Sequence, residues 1–301
     1  MTEEKWTAWQ RVEGYEFTDI IYEKKYHQQL EGGIAKITIN RPEKYNAFTD
    51  HTQNEMFDAF YDASHDATVG VVVLTGAGDK AFSTGGDIAW EEKGLREQFY
   101  WRLPPDHLMR TCRKPIIAAV KGWAIGGGHH IAYMCDFTIA ADNAKFGQVG
   151  PRVSSPADGY PVSYLTRVIG AKKAREMWML CRRYTAEQAL QMGLVNTVVP
   201  LAQLDEEVDK WCEEILSVSP GCIEIIKATF DSESDYITGS FGQMSRLMQP
   251  DWFTTPEGRE GGEAFSQKRQ ANFWKIRKAE AEMQNTMRAE IEKKRLEFRG
   301  E

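Results

Sequence analysis

Residues 122 to 136 read GWAIGGGHHIAYMCD, a run of glycines followed at once by two histidines and then by an apolar stretch with helical spacing. The pattern predicts a strand that gives way at Gly126, Gly127 and Gly128 to the start of a helix. Backbone N–H groups there point outward with the positive end of the helix dipole behind them, and side chains would block close approach of a ligand. A second stretch, AFSTGGDI, exposes backbone in the same way at Gly85 and Gly86 after another strand. Two amides converging from separate loops form an oxyanion hole, which holds the negative oxygen that develops when a carbonyl becomes an enolate. His130 adds an imidazole, which titrates near neutral pH; His129 is expected to pack rather than react.

The elements that must position these groups follow from hydrophobic periodicity. GGIAKITIN (32 to 40) alternates as a strand does, RPEKYNAF reads as a turn, and TDHTQNEMFDAFYDASHD reads as a helix. VGVVVLTGAGDKAFSTGGD is a buried strand entering a glycine-bearing loop, KPIIAAVKG is a strand leading into the GGGHH motif, and CDFTIAADNAKFGQ predicts a further strand pair. The order argues for a layered α/β core with its loops on one side. After about residue 170 the pattern turns helical, in AKKAREMWMLCRRY, TAEQALQMGL and LDEEVDKWCEEILSVS. The last stretch, KIRKAEAEMQNTMRAEIEKKRLEFRGE, is dominated by charged helix formers, with Met283, Met287 and Ile291 sharing one face.

Bulk properties narrow the function classes. The chain has 301 residues, a formal charge of −7, and is 42% hydrophobic and 11% aromatic, enough for one large core or a domain with an appendage. No basic stripe is dense enough for a nucleic-acid backbone. The five cysteines show no CxxC or CxxH pairing, which argues against a disulfide framework or a metal site. The acidic N-terminus lacks an apolar signal core and no apolar run has the length of a membrane span. A cytoplasmic enzyme with no membrane or nucleic-acid partner is the expectation.

RPEKYNAF, AFSTGGDI, GWAIGGGHHIAYMCDFTIAADNAKFGQVGP, TAEQALQMGLVNTVVP and EGREGGEAFSQKR resemble, in order, the crotonase (enoyl-CoA hydratase/isomerase) superfamily. FGQVGPRV, KKAREMWMLCRRY and FSQKRQANF are most similar to the branch that holds dihydroxynaphthoyl-CoA synthase and the alicyclic ring-opening acyl-CoA hydrolases, those acting on 2-ketocyclohexanecarboxyl-CoA and 6-oxocyclohexene-carbonyl-CoA. The resemblance implies an α/β fold, a spiral of ββα units with a C-terminal helical oligomerisation region. It implies an N-terminal extension (1–16), a core with the CoA site (17–200), a helical region (201–275) and a charged helical tail (276–301). The amides of Gly86 and Gly127 match the family's oxyanion pair. Thr84, Gly85, Asp87 and Ile88, with Trp123, Ala124, Ile125 and Gly126, match the pantetheine and acyl channel. Lys44 and Tyr45 match the nucleotide contact, and Lys268 a contact to CoA phosphate, often across a subunit boundary. The implied ligand is an acyl-CoA, with coenzyme A part of the substrate, and the implied assembly a homotrimer or homohexamer.

Departures from the family pattern bear on the reaction. The hydratase glutamates are replaced by His130 and Gly150, so that acid/base pair must come from elsewhere. Gly150, Gln148 and Trp178 match the bicarbonate pocket of naphthoate synthases, so bicarbonate is a possible base, although Val149 replaces the usual threonine. Ser155 matches the synthase serine, but Ala157 stands at its aspartate position and Phe253 at its tyrosine position. Asp158, in SSPADGYP, has the offset found in the 6-oxocyclohexene-carbonyl-CoA hydrolase. The expected reaction is therefore hydrolytic ring opening of a cyclic β-keto acyl-CoA, with Asp158 activating water and His130 moving a proton. The alternatives are synthase-like ring closure, hydration or isomerisation with rearranged acid/base groups, and a catalytically poor scaffold that binds CoA.

Overall fold

The computed structural model of the chain describes residues 5–91, 109–157, 159–234 and 252–299. Its strands are β1 (Gln10–Arg11), β2 (Ile20–Tyr26), β3 (Gly33–Ile39), β4 (Val69–Gly76), β5 (Ala81–Ser83), β6 (Ile116–Val120), β7 (Trp123–Ile125), β8 (Phe137–Ala141), β9 (Lys145–Gly147), β10 (Arg183–Thr185) and β11 (Thr197–Val199). They form a seven-stranded sheet in the order β1-β2-β3-β4-β6-β8-β11 and a four-stranded sheet in the order β10-β9-β7-β5. From β3 to β11 the larger sheet is parallel.

The two sheets are built from one repeated step. β4, β6 and β8 lie side by side in the larger sheet, while β5, β7 and β9, each following its partner after a few residues, lie side by side in the smaller one. The expected strand pair at CDFTIAADNAKFGQ is thus two strands of different sheets. Their alternation tells which face each residue takes but not which sheet receives it. Short helices α2 (Ile88–Glu91) and α3 (Gly127–Tyr133) follow β5 and β7, so each turn of the spiral delivers a loop and a helix start to the same end of the molecule.

Both faces of the larger sheet are covered, which is why its central strands read as nearly continuous apolar runs. Ala35, Ile37, Val72, Leu74, Ile116 and Ala118 face one core, together with Met56 and Phe60 of helix α1 (Asp50–His65). Ile34, Val71, Val73, Ile117 and Ile139 face the other, against Leu204, Val208 and Cys212 of a later helix (Leu204–Leu216). Thr49 and Thr52 cap α1 reciprocally. The buried Glu55 carboxylate accepts from the Thr18, Asp19 and Ile20 amides at 2.8, 2.8 and 3.1 Å, tying the start of β2 to α1.

The strand pattern does not predict β2, because Glu23, Lys24 and Lys25 interrupt its alternation. The fold satisfies these charges at a distance in sequence: Lys24 pairs with Asp62 and Asp66, Lys36 with Glu23, and Lys25 with Asp209 at 2.6 Å. Trp6 and Trp9 lie over the Lys25 ammonium, at 4.7 and 4.6 Å from ring centroid to nitrogen.

The remaining helices are α4 (Gly159–Ile169), α5 (Ala171–Leu180), α6 (Ala186–Gln191), α7 (Leu204–Leu216), α8 (Pro220–Glu233), α9 (Pro256–Ser266) and α10 (Phe273–Arg299). α8 is held to the sheet by Lys227, which is almost wholly buried. It donates to the Lys114 carbonyl at 3.2 Å and to Asp136 Oδ2 at 2.5 Å, and the same Asp136 oxygen accepts from the Ile116 amide. Lys227→Met leaves that carboxylate without its cation and is expected to cost about 3 kcal/mol in denaturant unfolding; an unchanged midpoint would count against the pairing. No described helix is long and apolar enough to cross a membrane.

Candidate active site

A cleft of about 690 Å³ opens where the loops after β5 and β7 meet. The turn at Thr84–Asp87 is fixed by the segment before α1: Phe48 N–H donates to Gly85 O at 2.9 Å and Asp87 N–H to Phe48 O at 2.9 Å. Gly86 N–H, lying between these bonds, faces the other way. Gly85 has φ +91°, and a Cβ there would sit 2.6 Å from Gly127 N, so a side chain would strain the turn and cover the neighbouring amide. Gly126, φ +57°, caps α3 and donates to Gly147 O at 3.1 Å, placing Gly127 as the first helical residue. Among the described residues neither the Gly86 nor the Gly127 amide donates a hydrogen bond to the protein. Two free N–H groups on touching loops, both lining the cleft, can hold a developing oxyanion.

The lining of the cleft includes Lys44, Tyr45, Arg183 and Lys268. A short 3₁₀ turn at Pro42–Lys44 leads into Tyr45 and Asn46, both left-handed at φ 52° and 54°. The buried Asn46 side chain holds this kink, donating to Ala77 O and Ala81 O at 3.0 and 2.7 Å and accepting from Arg41 N–H at 3.0 Å. Arg41 in turn donates to Ala47 O and pairs with Asp87 at 3.2 Å. The Asp87 carboxylate is therefore committed to Arg41. Arg183 stacks over the Trp123 ring at 5.2 Å, and Lys268 reaches the cleft from the same chain, at the end of α9.

His130, Gln148, Trp178, Gly150, Ser155 and Ala157 also line the cleft. The Gln148 amide joins the two histidines: its Oε1 accepts from His130 Nε2–H at 3.2 Å and its Nε2–H donates to His129 Nδ1 at 2.9 Å. This arrangement leaves the lone pair of neutral His130 on Nδ1. Burial lowers His130 to about 4, against the opposing effect of the Gln148 bond, and lowers His129, with its neighbour His130, to about 3. Both rings are neutral at pH 7.

The unfolded chain takes up these protons near 6.5, before the folded one does. Stability is therefore whole above about 6.5 and is lost as the pH falls through about 4 and then about 3. The expected slope is up to about 1.4 kcal/mol per pH unit for each histidine, measured as denaturant stability from pH 7 to 5. His129→Asn should flatten it, and an unchanged slope would count against a buried neutral ring.

Several expected positions fall differently. Ala124 is wholly buried and does not line the cleft, and Gly85 lies behind Gly86 rather than in the channel. Gly150 cannot stand in for a carboxylate by simple exchange, since a Cβ there would lie 2.4 Å from Ser155 O. Asp158 lies outside the described residues. Thr84, Asp87, Ile88, Trp123, Ile125 and Gly126 line the cleft with the groups above. Arg183, Phe265 and Ser266 also line it and are not expected from the sequence; the doubled arginine of CRRY was the available signal for the first. Among the described residues no group of three His, Cys, Asp or Glu is placed to hold a metal ion.

The sequence profile described as enoyl-CoA hydratase/isomerase matches residues 29–276. An enoyl-CoA hydratase/carnithine racemase from Magnetospirillum magneticum is 30% identical, with a TM-score of 0.66, over 86% of this chain and 96% of that one. A monofunctional enoyl-CoA isomerase from M. smegmatis is 33% identical, with a TM-score of 0.57, over 72% and 93%. A methylmalonyl-CoA decarboxylase, 23% identical, shares the fold with a TM-score of 0.74 over 86% and 99%. The paired sheets, the spiral of β-β-helix units and the helical C-terminal region are those of the crotonase fold. The chain belongs to the enoyl-CoA hydratase/isomerase family, the crotonase superfamily of acyl-CoA-processing enzymes.

Proposed function

We propose that this chain opens the ring of a cyclic β-keto acyl-CoA by hydrolysis. The observation that carries the reading is the cleft itself: free Gly86 and Gly127 amides face a wall holding His130, Ser155 and Ala157, with no hydratase glutamate pair. Water adds to the ring ketone carbon and the bond from that carbon to the thioester α-carbon breaks. The electron pair moves onto the thioester oxygen, where the two amides hold the enolate. Proton transfer to the α-carbon completes the reaction, leaving a carboxylate at one end of an open-chain acyl-CoA. Asp158, next in sequence to the cleft residue Ala157, activates the water; neutral His130 accepts and returns a proton. Lys44, Arg183 and Lys268 supply the positive rim that the CoA phosphates require.

A second reading, synthase-like ring closure, draws support from Trp178. Its indole N–H is buried with no acceptor among the described residues, and it lines the cleft beside Gln148 and Gly150. That set fits a small anion such as bicarbonate, which would supply a base. Gln148, however, already spends its amide on both histidines.

Incubation with 2-oxocyclohexanecarbonyl-CoA, a linear enoyl-CoA and succinylbenzoyl-CoA, followed by mass spectrometry, separates the readings. Gain of one water with ring opening is the expected result. Reversible hydration of the linear substrate alone, or ring closure of the third, would replace it. We also propose that copies assemble as a trimer or hexamer in the cytoplasm. Met179, Ile225, Ile226 and Phe230, exposed on the single chain, support the assembly, and light scattering measures it.

A further inference from the structure

Helix α10 runs from Phe273 to Arg299, and nearly all of it lies beyond the family-matched span ending at residue 276. Ile276, Glu280, Met283, Met287, Ile291, Lys294 and Phe298 follow spacings of four, three and four that repeat every eleven residues. Such a repeat keeps a stripe almost straight along a helix; at 3.6 residues per turn these side chains share an arc of roughly 80°. Ile276 and Glu280 are half-buried beside α9, while Met283, Met287, Ile291 and Phe298 are 59%, 55%, 60% and 93% exposed.

The stripe reads the same in both directions about Met287. Reversal exchanges Ile276 with Phe298, Met283 with Ile291, and Glu280 with Lys294. Three of the charges off the stripe have partners within the chain: Arg277 with Glu257 at 3.0 Å, Arg295 with Glu292 at 3.6 Å, and Lys293 with Glu297 at 4.0 Å, whereas no ion pair is formed by Arg288 or Glu290 among the described residues. Glu280 and Lys294, inside it, have none among the described residues.

We propose that α10 pairs with α10 of a second copy, antiparallel and centred on Met287. Each Glu280 then meets Lys294 of the other copy, Met283 meets Ile291, and the two Met287 side chains meet on the two-fold axis, as an isologous contact requires. A parallel pair would instead set Glu280 against Glu280 and Lys294 against Lys294 within the apolar stripe. The pair spans about 33 Å. At each end, Phe298 of the second copy comes level with a surface groove lined by Trp252, Thr255, Glu257, Arg277, Glu280 and Gln284.

The test uses the full chain with Cys222, the exposed cysteine, changed to serine. Under mild oxidation Met287→Cys is expected to form a cross-linked dimer, Met283→Cys and Ile291→Cys are not, and the double variant Met283→Cys/Ile291→Cys is. Glu280→Lys alone and Lys294→Glu alone should each halve the mass measured by light scattering, and the two together should restore it. Helix content by circular dichroism should stay unchanged in the charge-reversal variants, because Glu and Lys both form helices well. Cross-linking of Met283→Cys as readily as Met287→Cys would establish a parallel pair and overturn the proposal. So would no cross-link at 287 together with a mass indifferent to both charge reversals.

Discussion

Gly127→Pro is expected to lower turnover about a hundred- to a thousandfold, the usual loss when one oxyanion donor is removed, with CoA affinity nearly unchanged. Gly127 is the first residue of α3, a position where proline suits the helix because that N–H has no helical partner. The substitution therefore removes the donor with little cost to the helix. Any Cβ at 127 would press on the Phe48 ring, 2.7 Å away at its tip, so Gly127→Ala is the control that keeps the amide and shares the crowding. The difference between the two variants isolates the donor. A folded proline variant with the turnover of the alanine variant would remove Gly127 from the site.

Asp158→Asn is expected to reduce ring opening on the order of a hundredfold or more, since it keeps the size of the side chain and removes the carboxylate proposed as the base. His130→Gln should fall in the same way. Added bicarbonate discriminates the two chemistries. A hydrolase that relies on Asp158 is indifferent to it, whereas a synthase using Gln148, Gly150 and Trp178 is stimulated. Bicarbonate-dependent closure of succinylbenzoyl-CoA, unaffected by Asp158→Asn, would establish the synthase reading despite Ala157 and Phe253. Near-normal ring opening by both variants would place the acid/base groups elsewhere.

The backbone part of the site is legible in the sequence because it is made of short contiguous segments. A strand followed by glycines and a helix start points to exposed amides at Gly86 and Gly127, and the two clusters together make the signal. Other parts depend on distant partners. The doubled arginine of CRRY offers a cation at 183 but does not tell that it will stack on Trp123, and Phe265 and Ser266 reach the cleft only because the end of α9 lies against it. Strand β2 was hidden for a related reason: its lysines look solvent-facing until Asp62, Asp66 and Asp209 are brought beside them. His129 and His130 are set apart by Gln148, which lies beyond another strand and bonds one nitrogen of each ring, His129 Nδ1 and His130 Nε2, leaving the His130 Nδ1 lone pair free.

The kinked segment from Arg41 to Phe48 links Tyr45 in the cleft lining mechanically to the Gly86 turn. Tyr45 forms part of the cationic rim, its carbonyl accepts from the Thr84 amide at 3.2 Å, and Phe48, three residues on, holds Gly85 and Asp87 on either side of the Gly86 amide. A nucleotide that orders the rim thereby stiffens the turn that presents the oxyanion donor. On the proposed placement of the acyl-CoA, part of its binding energy is then spent on orienting the donor at the thioester. If the CoA nucleotide seats on Lys44, Tyr45 and Lys268 as proposed, the handle acts on the rate of the chemical step as well as on the occupancy of the cleft.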